Sequence, residues 1–578
     1  MSDSEKRDQC GRNAGGNGRQ LLLTFEKAEL HCREGATVAA ALIAGGVCEF
    51  RETIDGRRGL FCGMGICQEC LVTIDDVPGY RACMTPAKDG MRIKRQPPKI
   101  ALRPSAGLRS DERTAATVEE PQVLVVGGGP AGLNAAITAA EAGANVVLLD
   151  ERGQAGGQIF KQPAVAPAPS LERDRQFAAG RRLIERASRA GVDIRLRTTV
   201  WGGFPGPEIH VADSHGPAIL RPGKLIVASG AYERGHAVPG WTLPGVMTTG
   251  AAQSLLRVSG VTPPGRVLVA GNGPLNLQVA LELSRAGTRV AGLVELAPRP
   301  GLRHAGAAAG MFLASPRLTL TGLGMVTALR ARSVPTFYNR AVGRVLREGG
   351  ALVTEMVRAD GKAGDTIRVE AETVCLGYGF YPDNELLRLL GCGHDFDPLR
   401  DQLVTRRDGD CRTTIADIFA VGDCAGTGGA AAAAAEGIIA GFAAARDCEF
   451  AGDEHIERAA RCDLARQRRF QAALWSLHAP SGLFSTATMP DTVVCRCEEV
   501  RSATLDAAIE SGCETIAAVK RRTRLGMGPC QGRYCVPVAL SRLASRCGRV
   551  QGEFDSAAPR PPLRPLRVMD LDGGRIDD

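Results

Sequence analysis

Four cysteines near the amino terminus are spaced in a way that could bind a metal cluster. They are Cys62, Cys67, Cys70 and Cys83, in the pattern C-x4-C-x2-C-x12-C, and we call them the first quartet. The order C-x4-C-x2-C with a distant fourth cysteine is typical of plant-type [2Fe–2S] sites. Zinc sites favour two CxxC-like knuckles, and a redox-active pair of Cys67 and Cys70 would leave the other two cysteines without a role. The spacing therefore favours a [2Fe–2S] cluster over zinc, a redox dithiol or unrelated buried thiols.

A second group of four cysteines lies near the other end of the chain. This second quartet has the pattern C-x-C-x32-C-x4-C and consists of Cys495, Cys497, Cys530 and Cys535. A C-x-C pair followed by a distant pair resembles the bacterioferritin-associated ferredoxin module, which also holds a [2Fe–2S] cluster. That module usually closes with C-x2-C, whereas the x4 closure here resembles the form attached to opine-oxidase-type chains. The basic segment KRRTR before Cys530 supplies cations that would stabilise an anionic thiolate cluster. Zinc is the alternative.

A glycine-rich nucleotide-binding pattern lies between the two quartets. Residues 121–152 read as a strand, a G-x-G-x-x-G turn with glycines at 127, 129 and 132, a helix, and a strand that ends in Asp150. In this βαβ frame the glycines let the backbone approach a pyrophosphate at the helix N-terminus. Asp150, or Glu151 beside it, is placed to bind the adenosine ribose. The pattern predicts a dinucleotide site.

Two distant segments favour FAD over NAD or ATP at this site. TTIADIFAVGDCAGTGG (413–429) resembles the flavoprotein G-D motif, in which Asp423 would bind the ribityl chain, and LIVASGAYER (225–234) matches the second crossing of that fold. The candidate cofactor-binding residues are Gly127, Gly129, Pro130, Ala131, Gly132, Asp150, Glu151, Gly157, Gln158, Ser229, Gly230, Gly422 and Asp423.

A second nucleotide-binding pattern, at residues 265–295, is incomplete. Gly271 and Gly273 are present, but Asn276 stands where the third glycine belongs, and Glu295 occupies the ribose-binding position. The third glycine allows tight packing of the helix on the strand, so Asn276 argues against a normal NAD(P)H site. The segment then either holds a nucleotide loosely or serves only as a scaffold. Disulfide reductase chemistry is excluded because GGQIFKQP, after Asp150, carries no cysteine pair.

The elements that must position these groups form an α/β protein of several domains. The fold expected is a flavoprotein with two dinucleotide-binding domains, similar to the pyridine nucleotide-disulfide oxidoreductases, with a β-grasp ferredoxin-like domain before it and a small α-helical [2Fe–2S] module after it. The predicted segments are a disordered start (1–19), the ferredoxin-like domain (20–100), a linker (101–120), the FAD-dependent domain (121–450, with the second nucleotide fold inserted at about 262–375), a helical connector (451–490), the second [2Fe–2S] domain (491–550) and a Pro-rich tail (551–578).

Composition narrows the possible partners and the cellular location. Among the 578 residues, 44% are hydrophobic and 23% charged, which is ordinary for a globular protein, and the net charge of +8 is spread along the chain. Aromatic residues amount to only 4%, so nucleic-acid binding is not expected. The first residues lack the apolar stretch of a secretory signal, and residues 425–445, which include Glu436, are expected to be a packed helix rather than a membrane span. Cysteines that serve as metal ligands must stay reduced, and the cytoplasm is the compartment that keeps thiols reduced. The protein is therefore expected in the cytoplasm.

Several stretches resemble one family of amine-oxidising complexes. They are RRGLFCGMGICQECLV (57–72), AYERGHAVPGWTLPGVMTTGAAQSLL (231–256) and TVCLGYGFYPDNELLRLLGC (373–392). Together with the two quartets they resemble the α subunit of opine oxidase, hydroxyproline dehydrogenase and hydrogen cyanide synthase, fused to the small ferredoxin-like subunit. The α chain of heterotetrameric sarcosine oxidase is a more distant relative. The resemblance covers nearly the whole chain.

The resemblance implies an electron-transferring subunit of a hetero-oligomeric amine, imino acid or opine dehydrogenase or oxidase. It implies FAD, two [2Fe–2S] clusters and an FMN at the partner interface as cofactors. The partner that it implies for the oxidation of the amine is a glycine oxidase-like flavin subunit. The electron acceptor is not identified. The competing hypotheses are a stand-alone NAD(P)H-dependent reductase and a redox-sensing scaffold. No catalytic residue is predicted, because none of the eight histidines lies in a catalytic pattern.

Overall fold

The computed structural model describes residues 19–100, 116–165, 174–362, 364–479 and 489–566. Residues 1–18 of the predicted disordered start, 101–115 of the predicted linker, 480–488 of the predicted connector and 567–578 of the predicted tail lie outside the described residues. The end of the predicted linker differs from expectation, because residues 117–119 form a strand. Its short sequence TVE carries no alternating apolar pattern that would have predicted this strand.

The first domain is a mixed five-stranded sheet with one helix packed on it. Helix α1 has the apolar sequence VAAALIA, which buries almost completely, and the Thr37 side chain caps it by accepting a hydrogen bond from Ala40 N (3.2 Å). The sheet order is β2-β1-β7-β5-β6, with β1 parallel to β7, as in a β-grasp fold. The elements are β1 (Gln20–Phe25), β2 (Ala28–Arg33), α1 (Val38–Ala44), β3 (Arg51–Thr53), β4 (Gly56–Arg58), β5 (Leu71–Ile74), β6 (Val77–Arg81) and β7 (Arg92–Arg95).

The second domain begins with a βαβ unit whose strands VLVV and VVLL are buried on both faces, as parallel strands are. A four-stranded sheet of order β12-β13-β14-β8 adjoins it. The elements are β8 (Thr117–Glu119), β9 (Val123–Val126), α2 (Pro130–Glu141), β10 (Val146–Leu149), α3 (Arg175–Arg189), β11 (Asp193–Arg195), β12 (Thr199–Phe204), β13 (Glu208–Asp213), β14 (Gly216–Leu220), β15 (Lys224–Val227) and β16 (Ala231–Glu233).

The inserted second nucleotide fold is a parallel sheet of order β17-β24-β18-β19-β20, accompanied by a three-stranded antiparallel sheet, β21-β22-β23. The elements are β17 (Val246–Thr248), α4 (Thr249–Ser259), β18 (Val267–Gly271), α5 (Pro274–Arg285), β19 (Val290–Glu295), α6 (Ala305–Ala314), α7 (Pro316–Ala331), β20 (Thr336–Tyr338), β21 (Arg340–Glu348), β22 (Ala351–Arg358), β23 (Ile367–Ala371) and β24 (Thr373–Gly377).

The chain then returns to the second domain and completes its parallel sheet, of order β11-β10-β9-β15-β28. The returning elements are β25 (Phe380–Pro382), α8 (Glu385–Leu389), β26 (His394–Asp397), β27 (Gln402–Thr405), β28 (Ile418–Ala420) and α9 (Ala430–Arg446). The Ala- and Gly-rich helix α9 packs directly on α2, because a Cβ at Gly437 would lie 2.1 Å from the Ala131 carbonyl oxygen. Its composition therefore serves close helix packing, as the sequence predicted.

The last part of the described chain is a long helix followed by a small module. Helix α10 lies in the predicted connector, and the Asp453 side chain caps it by accepting a hydrogen bond from His455 N (2.8 Å). The module has its own apolar core around Leu505, Val519 and Leu543. The elements are α10 (Glu454–Leu477), β29 (Val493–Cys495), β30 (Val500–Arg501), α11 (Ser502–Glu510), α12 (Ile516–Thr523) and α13 (Cys535–Cys547).

Candidate functional site

The structure brings the four cysteines of the first quartet together. Three lie in the loop between β4 and β5, and Cys83 follows β6. The thiol of Cys62 contacts those of Cys67 and Cys83, and Cys83 also contacts Cys70. Burial acts to raise the pKa of Cys62, but hydrogen bonds from the neighbouring thiols and from the backbone outweigh it, so that this pKa lies well below its ordinary value. A thiolate is the form that binds metal.

The second quartet is assembled from β29, the turns after it and the start of α13. Its thiols form two contacting pairs, Cys495 with Cys535 and Cys497 with Cys530. Hydrogen bonding from Cys535 lowers the pKa of Cys495 to about 6. Backbone N–H groups act in the same direction, whereas burial acts to raise this pKa. Gly528 is required by this arrangement, since a Cβ there would lie 2.1 Å from the Cys497 Cβ.

Each donor set consists of four cysteine thiols, the number of ligands that a two-iron cluster takes. A mononuclear zinc site needs four ligands at one point, whereas a [2Fe–2S] cluster spreads four thiolates over two irons.

The nucleotide site is a cavity of about 480 Å³ at the carboxyl ends of the parallel strands of the second domain. Of the candidate cofactor-binding residues, all but Gly132 line it: they are Gly127, Gly129, Pro130, Ala131, Asp150, Glu151, Gly157, Gln158, Ser229, Gly230, Gly422 and Asp423. Gly132 instead lies beneath the glycine turn, where a Cβ would come within 1.8 Å of the Gly127 carbonyl oxygen. It permits the close contact between helix and strand that the third glycine of this pattern provides.

The two acidic residues at the end of β10 have different roles. The buried Asp150 carboxylate accepts hydrogen bonds from Gly128 N (2.8 Å) and Arg152 N (2.9 Å), so both of its oxygens fasten the loops of the site. Burial raises the pKa of Asp150, although these two hydrogen bonds act to lower it. Glu151 lines the cavity beside it. Asp150 also lines the cavity and keeps acceptor capacity, so either carboxylate could bind a ribose there.

Asp423 lies just before α9, where its carboxylate accepts hydrogen bonds from Gly428 N (2.9 Å) and Gly429 N (3.0 Å). These bonds fix the loop that follows β28, and Asp423 also lines the cavity. Binding of the ribityl chain by Asp423 stays a prediction.

Several charged residues of the cavity were not predicted from the sequence. Burial lowers the pKa of Lys161 to about 7, and its amine donates hydrogen bonds to Gln253 Oε1 (2.7 Å) and Gln158 O (3.0 Å). Burial raises the pKa of Glu233 to about 7, although both of its oxygens accept a hydrogen bond from Gly250 N. The other unpredicted charged residues are Arg152, Asp383, Glu385 and Arg564. Only tertiary structure unites them, so no local pattern signals the set.

The first quartet lies against the nucleotide cavity, and the second quartet lies against the first. Cys62, Met64 and Ile66 form part of the cavity wall. The Phe61 ring, beside Cys62, makes an edge contact with the Tyr534 ring, beside Cys535, at a centroid distance of 5.4 Å. The cavity and the two quartets therefore form one continuous buried region, although they come from three separate parts of the sequence.

A buried ionic cluster, made of Glu69, Arg51, Arg58 and Arg496, joins the two cysteine-rich domains. The Glu69 side chain is 0% exposed and lies 3.2 Å from Arg51 Nη2, 3.9 Å from Arg58 Nε and 3.3 Å from Arg496 Nε. Arg496 comes from the second quartet's C-x-C segment, and its guanidinium stacks over the Phe61 ring at 3.8 Å. Arg58 also lies 3.8 Å from Asp55 and 3.6 Å from Glu499, so the cluster places cations and carboxylates together beside ligands that are anionic as thiolates.

The second nucleotide-binding pattern is closed by the protein itself. Asn276 is buried, donates a hydrogen bond to Gly377 O (2.9 Å) and accepts one from Thr249 Oγ1 (2.9 Å). Glu295, at the ribose-binding position, lies 3.5 Å from His478 Nδ1 at the end of α10. The His478 carbonyl also accepts a hydrogen bond from Asn272 Nδ2 (2.7 Å). The structure thus places protein groups where the ribose of NAD(P)H would bind.

Among the described helices, none combines the length and the apolar character needed to cross a membrane.

Three family models match the chain. Residues 121–437 match "Pyridine nucleotide-disulphide oxidoreductase", residues 18–98 match "2Fe-2S iron-sulfur cluster binding domain", and residues 493–544 match "BFD-like [2Fe-2S] binding domain". The chain is therefore a flavoprotein oxidoreductase with two [2Fe–2S]-binding domains, and the predicted fold class is confirmed.

Relatives along most of the chain are more specific. The A subunit of opine oxidase from Rhizobium meliloti (strain 1021) is 32% identical over 78% of this chain and 97% of its own length. "Hydrogen cyanide synthase subunit HcnB" from Pseudomonas aeruginosa is 34% identical over 77% of this chain and 96% of its own length. A solved structure of L-proline dehydrogenase from P. horikoshii has a TM-score of 0.71 at 20% identity, covering 97% of this chain and 99% of that one, which supports the fold.

The chain belongs to the family that includes hydrogen cyanide synthase subunit HcnB and the A subunit of opine oxidase. This confirms the family predicted from the sequence. A protein of this family is a flavin- and iron–sulfur-dependent oxidoreductase subunit, which also confirms the predicted type of enzyme.

Proposed function

We propose that the chain passes electrons from a partner subunit, which oxidises an amine, imino acid or opine, to an acceptor. The observation that supports this most is the continuous buried region formed by the nucleotide cavity and the two quartets. When bound, FAD supplies two-electron chemistry and the [2Fe–2S] clusters supply one-electron chemistry, so the set can divide an electron pair. The proposed cluster ligands are the eight cysteines of the first and second quartets.

The protein's part is to bind and enclose these groups. The backbone of the glycine turn at Gly127 and Gly129 meets the first turn of α2, where N–H groups point at a pyrophosphate. We assign Glu151 to the adenosine ribose and Asp423 to the ribityl chain. The aromatic rings of Phe61, Trp241 and Tyr534 exclude water between the quartets, since Phe61 and Trp241 are almost fully buried and their rings lie 5.6 Å apart.

The surface of helices α6 and α7 supports a permanent partner. Helix α6 is almost entirely apolar yet buries no residue, and Leu313 is 83% exposed, with Leu320 and Leu323 also exposed on α7. A large exposed apolar surface of this kind normally marks a protein contact. Met325 of α7 lines the nucleotide cavity, so a subunit covering this helix pair would lie beside the cofactor.

We propose that the occupant is a glycine oxidase-like flavin subunit, with an FMN at the interface. Both relatives are named as subunits of larger proteins. A specific interface of this type should bury more than about 1,000 Å². The cytoplasmic location stays a prediction, based on thiolate ligands that require a reducing compartment.

The alternative functions have less support. A stand-alone NAD(P)H-dependent reductase needs an open second nucleotide site, but Asn276 and His478 occupy that region. A redox-sensing scaffold would not need two complete sets of four cysteines that contact one another and the cavity.

The proposed function is tested with the chain expressed alone and together with its partner. We expect amine- or opine-dependent dye reduction only with the partner, while the lone chain retains flavin and about four irons. Leu313→Asp with Leu320→Asp should abolish co-purification, and Leu399→Asp, equally exposed on the second domain, is the matched control. Comparable amine oxidation by the lone chain would contradict the electron-transfer role.

The ligand assignment is tested separately by serine substitutions. Cys62→Ser and Cys530→Ser should each remove one cluster and spare the other, as seen by iron content and electron paramagnetic resonance. Cys48→Ser and Cys513→Ser change cysteines of the same two domains outside the quartets and should leave both clusters in place. A stoichiometric zinc content would contradict the two-cluster assignment.

A further inference from the structure

The C-terminal arm, residues 551–566, returns to the nucleotide cavity instead of extending away from the protein. The sequence predicted an extended Pro-rich tail. The structure shows that Leu563 is buried and that both Leu563 and Arg564 line the cavity. The bulky apolar and cationic side chains in PPLRPL account for this, because they can enter a pocket that proline and glycine alone would not fill.

The arm is fastened at several points along its described length. Glu553 accepts a hydrogen bond from His394 N (2.8 Å) and pairs with Arg406 (2.9 Å). The Ala557 carbonyl accepts a bond from Arg388 Nη2 (2.6 Å). Further along, Leu563 N donates a hydrogen bond to the carbonyl of residue 201 (2.7 Å). These contacts hold the arm on the second domain and direct its end into the cavity.

Three carboxylates of the cavity have a counter-charge in the C-terminal part of the chain. Arg564 Nη2 lies 2.6 Å from Asp383 Oδ2, and Arg564 Nε lies 3.8 Å from Glu151 Oε2. Arg533, between the last two cysteines of the second quartet, lies 3.1 Å from Glu385. Burial opposes ionisation of Asp383, but the charge of Arg564 outweighs it and lowers this pKa to about 2.

These cations matter for an anionic ligand. A dinucleotide brings a pyrophosphate into a cavity whose wall already contains six carboxylates, those of Asp150, Glu151, Glu233, Asp383, Glu385 and Asp423. Like charges at close range in a buried site repel strongly. Arg564 pairs with Asp383 and lies near Glu151, so it offsets negative charge in this wall, and it adjoins the apolar surface that Leu563 supplies.

We propose that the C-terminal arm is part of the dinucleotide site and retains the bound cofactor, with Arg564 as its binding residue. The inference rests on the proposed assignment of FAD to this site. It also makes the second [2Fe–2S] domain a neighbour of the flavin site, since Arg533 Nη2 donates a hydrogen bond to Leu563 O (3.2 Å).

The test compares FAD release from the full-length holoprotein and its variants. Arg564→Met should speed FAD release by about tenfold or more, because a charge-assisted contact is lost. Arg560→Met is the matched control, since it removes the same charge from an exposed position of the same arm and should release FAD like the parent protein. Adding Asp383→Asn to Arg564→Met should restore part of the retention, because it removes the carboxylate that Arg564 neutralises.

Release is followed by flavin fluorescence and by identifying the eluted nucleotide, and iron content is measured in parallel. An unchanged release rate in Arg564→Met would overturn the inference. Loss of iron together with FAD would also overturn it, because the arm would then serve folding of the second [2Fe–2S] domain. Absence of FAD from the parent protein would instead contradict the proposed function.

Discussion

Replacing Glu69 by glutamine should raise the reduction potentials of both proposed clusters. Glu69 is fully buried between the quartets and keeps three arginines in place. Burial and neighbouring thiols raise the pKa of Cys67. Hydrogen bonding to Cys530 and burial raise the pKa of Cys497. The negative charge of Glu69 contributes to both increases in pKa. Both quartets are therefore within the field of this carboxylate. Glutamine keeps its shape but removes one negative charge, which favours the reduced and more negative state of a cluster.

The expected size follows from Coulomb's law. A charge about 4 Å away contributes about 4 kcal/mol at an effective dielectric constant of about 20, and less at larger separations. For a one-electron couple, about 60 mV corresponds to about 1.4 kcal/mol. We expect potentials higher by about 60 to 170 mV in Glu69→Gln, with the larger shift at the nearer cluster.

The assay is a redox titration monitored by electron paramagnetic resonance, which separates the two clusters by their signals. Glu498→Gln is the control, because Glu498 follows Cys497 but pairs with the exposed Arg524 (2.7 Å) on the outer side of the module. That variant should move the second cluster alone. If Glu69→Gln left the first cluster's potential unchanged while both clusters stayed bound, the argument that the ionic cluster acts on both would be refuted.

Three further outcomes are expected. NADH or NADPH added anaerobically should leave the flavin oxidised over a turnover time of about 0.1 s, because the Glu295 side chain already contacts His478. Rapid bleaching of the flavin would favour the stand-alone NAD(P)H-dependent reductase. Burial lowers the pKa values of His236 and His394 in the folded protein to about 4. The stability that the two neutral side chains contribute is present above the pKa of an unfolded histidine and is lost as pH falls through the folded pKa. The free energy of unfolding should therefore fall by up to about 3 kcal/mol for each histidine as pH drops from about 6.5 to 4. Thermal unfolding from pH 8 to 4 measures it, and His394→Gln should flatten the profile. Gly437→Ala should lower the melting temperature, at a cost of about 1–3 kcal/mol, because its Cβ meets the Ala131 carbonyl, whereas Gly306→Ala has free space and should not.

The sequence predicted the parts of the site that are local in the chain. The quartets and the glycine turn depend on spacings of a few residues, and a turn or a helix start brings such residues together whatever the rest of the chain does. Binding of the ribose by Asp150 or Glu151 stays a prediction, and the hydrogen bonds of Asp150 to both flanking loops are visible only in three dimensions.

The remaining residues of the site depend on long-range contacts. Lys161 and Glu233 acquire their shifted pKa values from burial, which no short pattern reports. Arg564 follows a segment whose prolines indicate an extended arm, and proline content says nothing about where an arm docks. The effect of Asn276 on NAD(P)H binding stays a prediction, and the contact with His478, which lies far along the chain, could not be foreseen.

The contact between Phe61 and Tyr534 has a consequence for how the protein assembles. The two [2Fe–2S] domains are held in one polypeptide, so their docking is intramolecular and proceeds at an effective concentration that the connecting chain sets. A tethered contact stays closed with weaker individual interactions than the same surface between free polypeptides would need. If residues 1–100 were supplied as a separate polypeptide, docking through Phe61, Trp241 and Glu69 would become dependent on protein concentration, and the electron path between the two domains would open and close by mass action.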